Sequence, residues 1–189
     1  MPSPELDPAA ISRLVAQAQE GDTAAFGRIY DHFFPSVYRY AALRAPSAAA
    51  EDLTEEIFVK AWEKLYTYKP RANVPFGAWL FRIARHEVID AYRTTRTWEE
   101  VPEELCDTDE FNQADTRVKR AHLLAVVRKT LAVLPRRYRE VLELSYLSGL
   151  STAEVAKVLK TSEGSIRVLK FRALKRFRDA LPPEFAENM

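Results

Sequence analysis

The sequence predicts an all-α protein: two small helical domains joined by an acidic linker. Three observations point to it. Apolar residues recur every three or four positions through long stretches in both halves, the spacing of amphipathic helices, with little of the alternation that marks strands. Glycine is scarce, 5 residues in 189, whereas 11 prolines punctuate the chain, a balance suited to helices separated by Pro-marked breaks. Charge is segregated: residues 1–97 carry 12 Lys or Arg against 12 Asp or Glu, residues 98–116 carry eight acids and no base, and residues 117–178 carry 16 Lys or Arg against four Glu. A run of like charge with low hydrophobicity cannot build a core, so 98–116 reads as a solvated linker between a neutral unit, 9–97, and a cationic one, 117–181.

Taken in order, Ile11, Leu14, Val15 and Ala18 form the stripe of a first helix that Gly21 and Asp22 end. Asp22 or Thr23 caps a second helix through Phe26, Ile29, Tyr30 and Phe33, which Pro35 breaks or restarts before Val37, Tyr38 and Ala41. A third follows Pro46, with Leu53, Ile57, Ala61 and Leu65 inward and Asp52, Glu55, Glu56 and Lys60 outward. Acids near a helix start complement its dipole, but the same residues make a ridge fit to dock a basic protein surface. Pro70 and Pro75 bound a stiff loop, and a fourth helix from about Pro75 to Arg96 has Phe76, Trp79, Leu80, Ile83, Ala84 and Val88 on its inner face. Its outer side is cationic, with Arg82, Arg85, His86, Arg93 and Arg96. Together with Lys69, Arg71 and Asn73 in the loop and Tyr66 and Tyr68 before it, this side suits a single DNA strand, with arginines on phosphates and aromatics stacking bases.

Beyond the linker, Ala121, Leu124, Val127, Leu131 and Leu134 give a helix over 117–134, and Pro135 starts another that runs to Gly149. Ser151 with Glu154 is a capping box that opens a short helix burying Val155, Ala156 and Leu159. Ser162 caps a second helix that buries Ile166, Leu169, Ala173, Leu174 and Phe177 and turns a cationic side outward. Two helices, a tight turn and a basic second helix read as a helix-turn-helix, whose second helix enters the DNA major groove. Ser165, Arg167, Val168, Lys170 and Arg172 are the positions placed to meet bases or phosphates. Lys160 stands where such turns need a left-handed residue, a conformation that costs a Lys about 1 kcal/mol more than a Gly.

Other classes find little support. The single cysteine, Cys106, has no internal disulfide partner, and three scattered histidines offer no zinc spacing. No metal or cofactor is expected. There is no nucleophile beside a base and no phosphate-cradling glycine loop, which argues against an enzyme. No apolar run approaches the roughly 18 residues of a membrane span, and the amino terminus lacks a signal pattern, so a cytoplasmic protein is expected.

Four stretches, in order and at suitable separations, resemble the bacterial extracytoplasmic-function (ECF, group 4) sigma factors of RNA polymerase. Residues 22–40 resemble the family's first conserved segment, AEDLTEEIFVKAW at 50–62 its core-polymerase-binding segment, and FGAWLFRIARHEVIDAYR at 76–93 its promoter-melting segment. Residues 134–178 are similar to the segment that binds the minus-thirty-five element. The resemblance implies that Asp52, Glu55 and Glu56 dock on the clamp helices of the largest polymerase subunit. It further implies that Lys69, Arg71, Asn73, Arg82, Arg85, His86 and Arg93 serve the minus-ten element. Ser165, Arg167, Val168, Lys170 and Arg172 would serve the minus-thirty-five element, with the second domain on the polymerase flap. An anti-sigma partner is also implied. Glu55, His86 and Lys160 depart from the family's usual Gln, Asn and Gly. The competing reading is a conventional helix-turn-helix regulator of duplex operators, which would need a dimerisation element; no heptad run is evident. A helical adaptor that binds only proteins is a further alternative, as is the acidic linker lying against the basic domain and discouraging DNA binding by the free protein.

Overall fold

The computed structural model describes residues 6–45, 47–70, 74–94 and 114–186, and among them every regular element is helical. Helix α1 spans Pro8–Gln19: Asp7 caps it by accepting from the Ala10 amide, and Pro8 sits in the first turn, where a missing N–H costs nothing. Gly21, at φ +99°, turns the chain into α2, Thr23–Ala42, whose cap Asp22 accepts from the amides of Ala24 and Ala25.

Here the structure corrects an expectation, because Pro35 neither breaks nor restarts α2. A proline inside a helix costs about 3 kcal/mol. Ile29, Phe33, Val37, Tyr40 and Ala41 are all buried on this one helix, at roughly 1.5–3 kcal/mol for each large side chain, so tertiary packing holds it continuous.

Helix α3, Ser47–Lys64, buries Leu53, Ile57 and Ala61 and ends in a 3-10 turn, Leu65–Thr67. Helix α4, Phe76–Thr94, crosses it and inserts Phe76, Leu80, Phe81, Ala84 and Val88. Between α3 and α4, Tyr68 is a strut: its ring lies 5.3 Å from Phe76 and 5.4 Å from Trp79, its hydroxyl donates to the Val74 carbonyl, and Gln19 holds the carbonyls of Leu65 and Tyr68. Trp79 is half-buried in this aromatic group.

In the carboxy-terminal half, α5 is Ala114–Val133, starting inside the stretch read as linker; the rest of that stretch lies outside the described residues. Its buried side includes Val126 and Thr130 beside Leu131. Helix α6, Arg136–Leu142, continues as a π-helical turn, Glu143–Leu147, which periodicity did not foresee. Helices α7, Thr152–Val158, and α8, Glu163–Ala180, pack against each other and α8 also on α6; a short α9, Pro183–Ala186, follows.

The two halves are packed together, α7 on α4 and the π turn on α2, and their buried residues form one continuous cluster. Gly77, in the first turn of α4, permits the approach: a Cβ there would lie 3.1 Å from Glu154 Oε1, 3.4 Å from the Phe33 ring and 3.6 Å from Leu150.

Candidate nucleic-acid interface

The helix-turn-helix forms as its caps dictate. The Ser151 hydroxyl accepts from the Glu154 amide while the Glu154 carboxylate accepts from the Ser151 amide, and Ser162 caps α8 by accepting from the Ser165 amide. Lys160 takes the left-handed conformation at φ +53°, as the turn requires. Val155, Ala156, Ile166 and Ala173 are buried where the helices cross.

Helix α8 carries all five positions expected at duplex DNA, distributed over two flanks. Ser165, Val168 and Arg172 border a cavity that faces α4, whereas the exposed Arg167 reaches Glu163 on its own helix at 3.4 Å and Lys170 lies 4.4 Å over the Tyr146 ring. Leu174, expected in the core, is exposed, and Phe171 is 72% exposed beside it. The crossing with α6 and α7 covers only the stripe through Ile166 and Ala173, too narrow to include them.

Asp52, Glu55 and Glu56 are exposed along one side of α3, so the acidic ridge exists. Lys60 is not part of it, because its ammonium pairs with the largely buried Glu87 of α4, and that hydrogen bond raises its pKa. An apolar patch that charge patterning missed continues the ridge toward the end of α3: Val59 is 57% exposed, and Trp62 is partly so while packing edge-on against Phe26. Their signal in the sequence is spacing, since Val59 and Trp62 follow Glu55 and Glu56 by helical steps on the outward side.

Among the described residues, those expected at the minus-ten element are not gathered on one free surface. Lys69 and His86 are exposed. Arg71, Asn73 and the Arg93 side chain lie outside the described residues. Tyr68 is buried as a strut and does not present a stacking face, although Tyr66 is 78% exposed. Arg82 and Arg85, expected on an open cationic side, are turned into the other half. Arg82 donates twice to the Lys157 carbonyl, at 3.0 and 2.6 Å, and Arg85 donates to Glu140 Oε1 at 3.1 Å.

These two belong to a set of arginines that join the halves. Arg39 donates to the Leu147 carbonyl at 3.0 Å, Arg128 donates back to the Ala42 carbonyl at 2.6 Å, and Arg44 pairs with Glu143. Ala42 ends α2, Leu147 ends the π turn and Lys157 is in the last turn of α7. Carbonyls at helix ends lack intrahelical partners and carry the negative end of the dipole, so a guanidinium from the opposite half satisfies both needs.

The Arg44–Glu143 pair is the most deeply placed: Glu143 is 1% exposed, and Arg44 also donates to the Tyr40 hydroxyl at 2.9 Å. Burial lifts the Glu143 carboxyl above the ordinary range, with Arg44 opposing the shift, and burial pushes Tyr40 up to about 12. The acid of this pair has a signal in the sequence: Glu140 and Glu143 share helical spacing with Leu144 and Leu147, which places carboxylates on a face that must be covered.

Among the described residues no cluster of His, Cys, Asp and Glu could hold a metal ion, and no helix is long and apolar enough to cross a membrane. Residues 29–98 match the family description Sigma-70 region 2, and residues 124–177 match Sigma-70, region 4. The chain is similar to the ECF RNA polymerase sigma factor BldN of Streptomyces coelicolor, at 37% identity over 97% of this chain and 70% of that one. It is also similar to SigD of Mycobacterium tuberculosis, at 29% identity over 95% and 88%. Among solved structures, that of CnrH in complex with the cytosolic domain of CnrY superimposes with a TM-score of 0.70 at 29% identity, over 89% of this chain and 94% of that one. Two capped helices with a cationic second member, an acidic ridge on α3 and likeness along nearly the whole length converge on one answer: the chain belongs to the ECF RNA polymerase sigma factors of the sigma-70 family.

Proposed function

We propose that this chain, in the cytoplasm and without catalytic chemistry of its own, directs core RNA polymerase to a set of promoters and assists DNA opening there. Residues 9–97 and 117–181 are the two working units. Asp52, Glu55 and Glu56, with Val59 one turn further along α3, dock on the clamp helices of the largest polymerase subunit. Lys69, Arg71, Asn73, Arg82, Arg85, His86 and Arg93 serve the minus-ten element. Ser165, Arg167, Val168, Lys170 and Arg172 serve the minus-thirty-five element, and the carboxy-terminal unit packs on the flap. The observation that carries this reading is the α7–α8 pair, capped by Ser151 and Ser162, with Ser165, Arg167, Val168 and Arg172 exposed along α8. Cationic helices of this kind bind duplex DNA with affinity that falls steeply with salt.

In the closed arrangement Arg82 and Arg85 are occupied by Lys157 and Glu140, so these bonds break before the guanidiniums meet DNA. Binding to polymerase separates the halves. An anti-sigma partner would favour the closed form; CnrH, to whose structure the chain is similar, was solved in complex with another protein, the cytosolic domain of CnrY.

The test is transcription in vitro with purified core polymerase, followed by mapping of start sites. The chain is expected to confer initiation at discrete positions, and Asp52→Lys with Glu56→Lys to abolish it without lowering helicity. Tight, sequence-specific duplex binding without polymerase, together with no effect on initiation, would refute the proposal in favour of a conventional regulator.

A further inference from the structure

Where α4 meets α6 and α8 there is a half-open cavity of about 790 Å3 lined by four arginines, Arg85 of α4, Arg136 and Arg137 of α6 and Arg172 of α8, with Glu140 as the acid among them. Glu140 is already shared: Arg85 Nη2 donates to it at 3.1 Å and Arg136 Nε at 3.2 Å. Arg137 and Arg172 are exposed and have no carboxylate partner among the described residues, and Arg85 Nε is buried with no acceptor. The cavity therefore holds more guanidinium donors than its single carboxylate can satisfy. Thr161 and Ser165 also line it, the Ser165 hydroxyl lying 2.9 Å from that of Ser162.

A concave wall with one sign of charge concentrates counter-ions, and the planar fork of a guanidinium matches phosphate oxygens two at a time. The volume is that of a small-molecule site. No aromatic ring lines it, so stacking contributes nothing, whereas Leu159, Val168 and Leu169 offer an apolar side wall.

We propose that this cavity binds a compact polyphosphate, either an inorganic chain or the polyphosphate end of a small phosphate ester. Binding favours the closed form, because Arg85 comes from one half and Arg136, Arg137 and Arg172 from the other. A ligand that binds one arrangement better than another shifts the population toward it by that difference. On the promoter-binding reading above, the ligand also excludes duplex DNA, since Ser165, Val168 and Arg172 serve both; the binding itself does not rest on that reading.

Calorimetric titration of the full chain with inorganic tripolyphosphate and with ATP, in magnesium-free buffer against sulfate at matched ionic strength, tests it. Saturable one-to-one binding that sulfate does not reproduce is expected. Arg137→Ala with Arg172→Ala should weaken it about tenfold or more, two charge-assisted contacts being lost. Lys175→Ala with Arg178→Ala removes the same charge outside the cavity and should change affinity by less than about twofold, as screened surface charges do. Arg85→Ala should weaken binding although it lies in the other half. Equal affinity for the two probes assigns the site to the phosphate chain alone, and tighter ATP binding adds the apolar wall. Binding no better than sulfate, or equal losses from the two double variants, would overturn the proposal. Neither polymerase nor DNA is present, so this outcome is independent of promoter selection.

Discussion

Replacing Glu143 by Ala leaves the Arg44 guanidinium in the junction without its carboxylate. Glu143 is 1% exposed and the Arg44 side chain 16% exposed, so water does not take over the pairing while the halves stay docked. Removing one member of a buried pair costs about 3–5 kcal/mol. The chain has a way to avoid that cost: if the halves part, Arg44 regains water. The opening equilibrium is therefore expected to shift by roughly two to four decades, at about 1.4 kcal/mol per decade. Energy transfer between dyes on Glu51→Cys and Lys175→Cys, in a Cys106→Ser background, reports the separation, and circular dichroism verifies that both halves remain helical. Glu143→Gln, which keeps an acceptor for Arg44 but no charge, should fall between. Replacing both partners, Arg44→Met with Glu143→Leu, should restore much of the closed population, because apolar packing removes two desolvated charges at once. Unchanged transfer in Glu143→Ala, with less than about 1 kcal/mol lost in urea unfolding, would refute the view that this pair holds the halves together.

Three further outcomes follow from the same geometry. Tyr40 is held at about 12 against an ordinary 10.0, so its contribution is complete below pH 10.0 and is lost as pH rises toward 12. Roughly 2–3 kcal/mol of stability should disappear across that window in alkaline denaturation, at about 1.4 kcal/mol per pH unit, and Tyr40→Phe should flatten the slope. Lys160→Gly should stabilise the carboxy-terminal half by about 0.5–1 kcal/mol in thermal unfolding, because φ +53° suits glycine; a lower midpoint would refute it. Gly77→Val should raise the open population in the energy-transfer assay with helicity retained, since even its Cβ would press within 3.1 Å of Glu154 and 3.4 Å of Phe33. An unchanged transfer signal would show that the approach at Gly77 does not limit docking.

Much of this molecule is written locally. Asp22, Ser151 with Glu154, and Ser162 announce helix starts because a cap and its amides are neighbours in sequence, and each cap bond is present. The stripes through Leu14, Val15 and Ala18, through Leu53, Ile57 and Ala61, and through Ile166 and Ala173 are buried as their spacing requires. The helix-turn-helix and the acidic side of α3 were legible for the same reason. Periodicity reports that a face is covered, however, and not what covers it or how wide the cover is. Leu174 shared the apolar spacing of α8 yet lies outside the crossing, and Pro35 carried a local penalty that burial along α2 outweighs.

The sequence by itself determined two helical units, their caps, the basic recognition helix and the charge of each half. Only the tertiary structure decided where the arginines go. Arg82 reaches a carbonyl 75 residues away and Arg44 a carboxylate 99 residues away, and on α4 the same cationic stripe serves a free strand or a neighbouring helix end equally well. A guanidinium seeks any unsatisfied oxygen within reach of its long stem. Which oxygen that is depends on how the two halves meet, a property of no short stretch of chain.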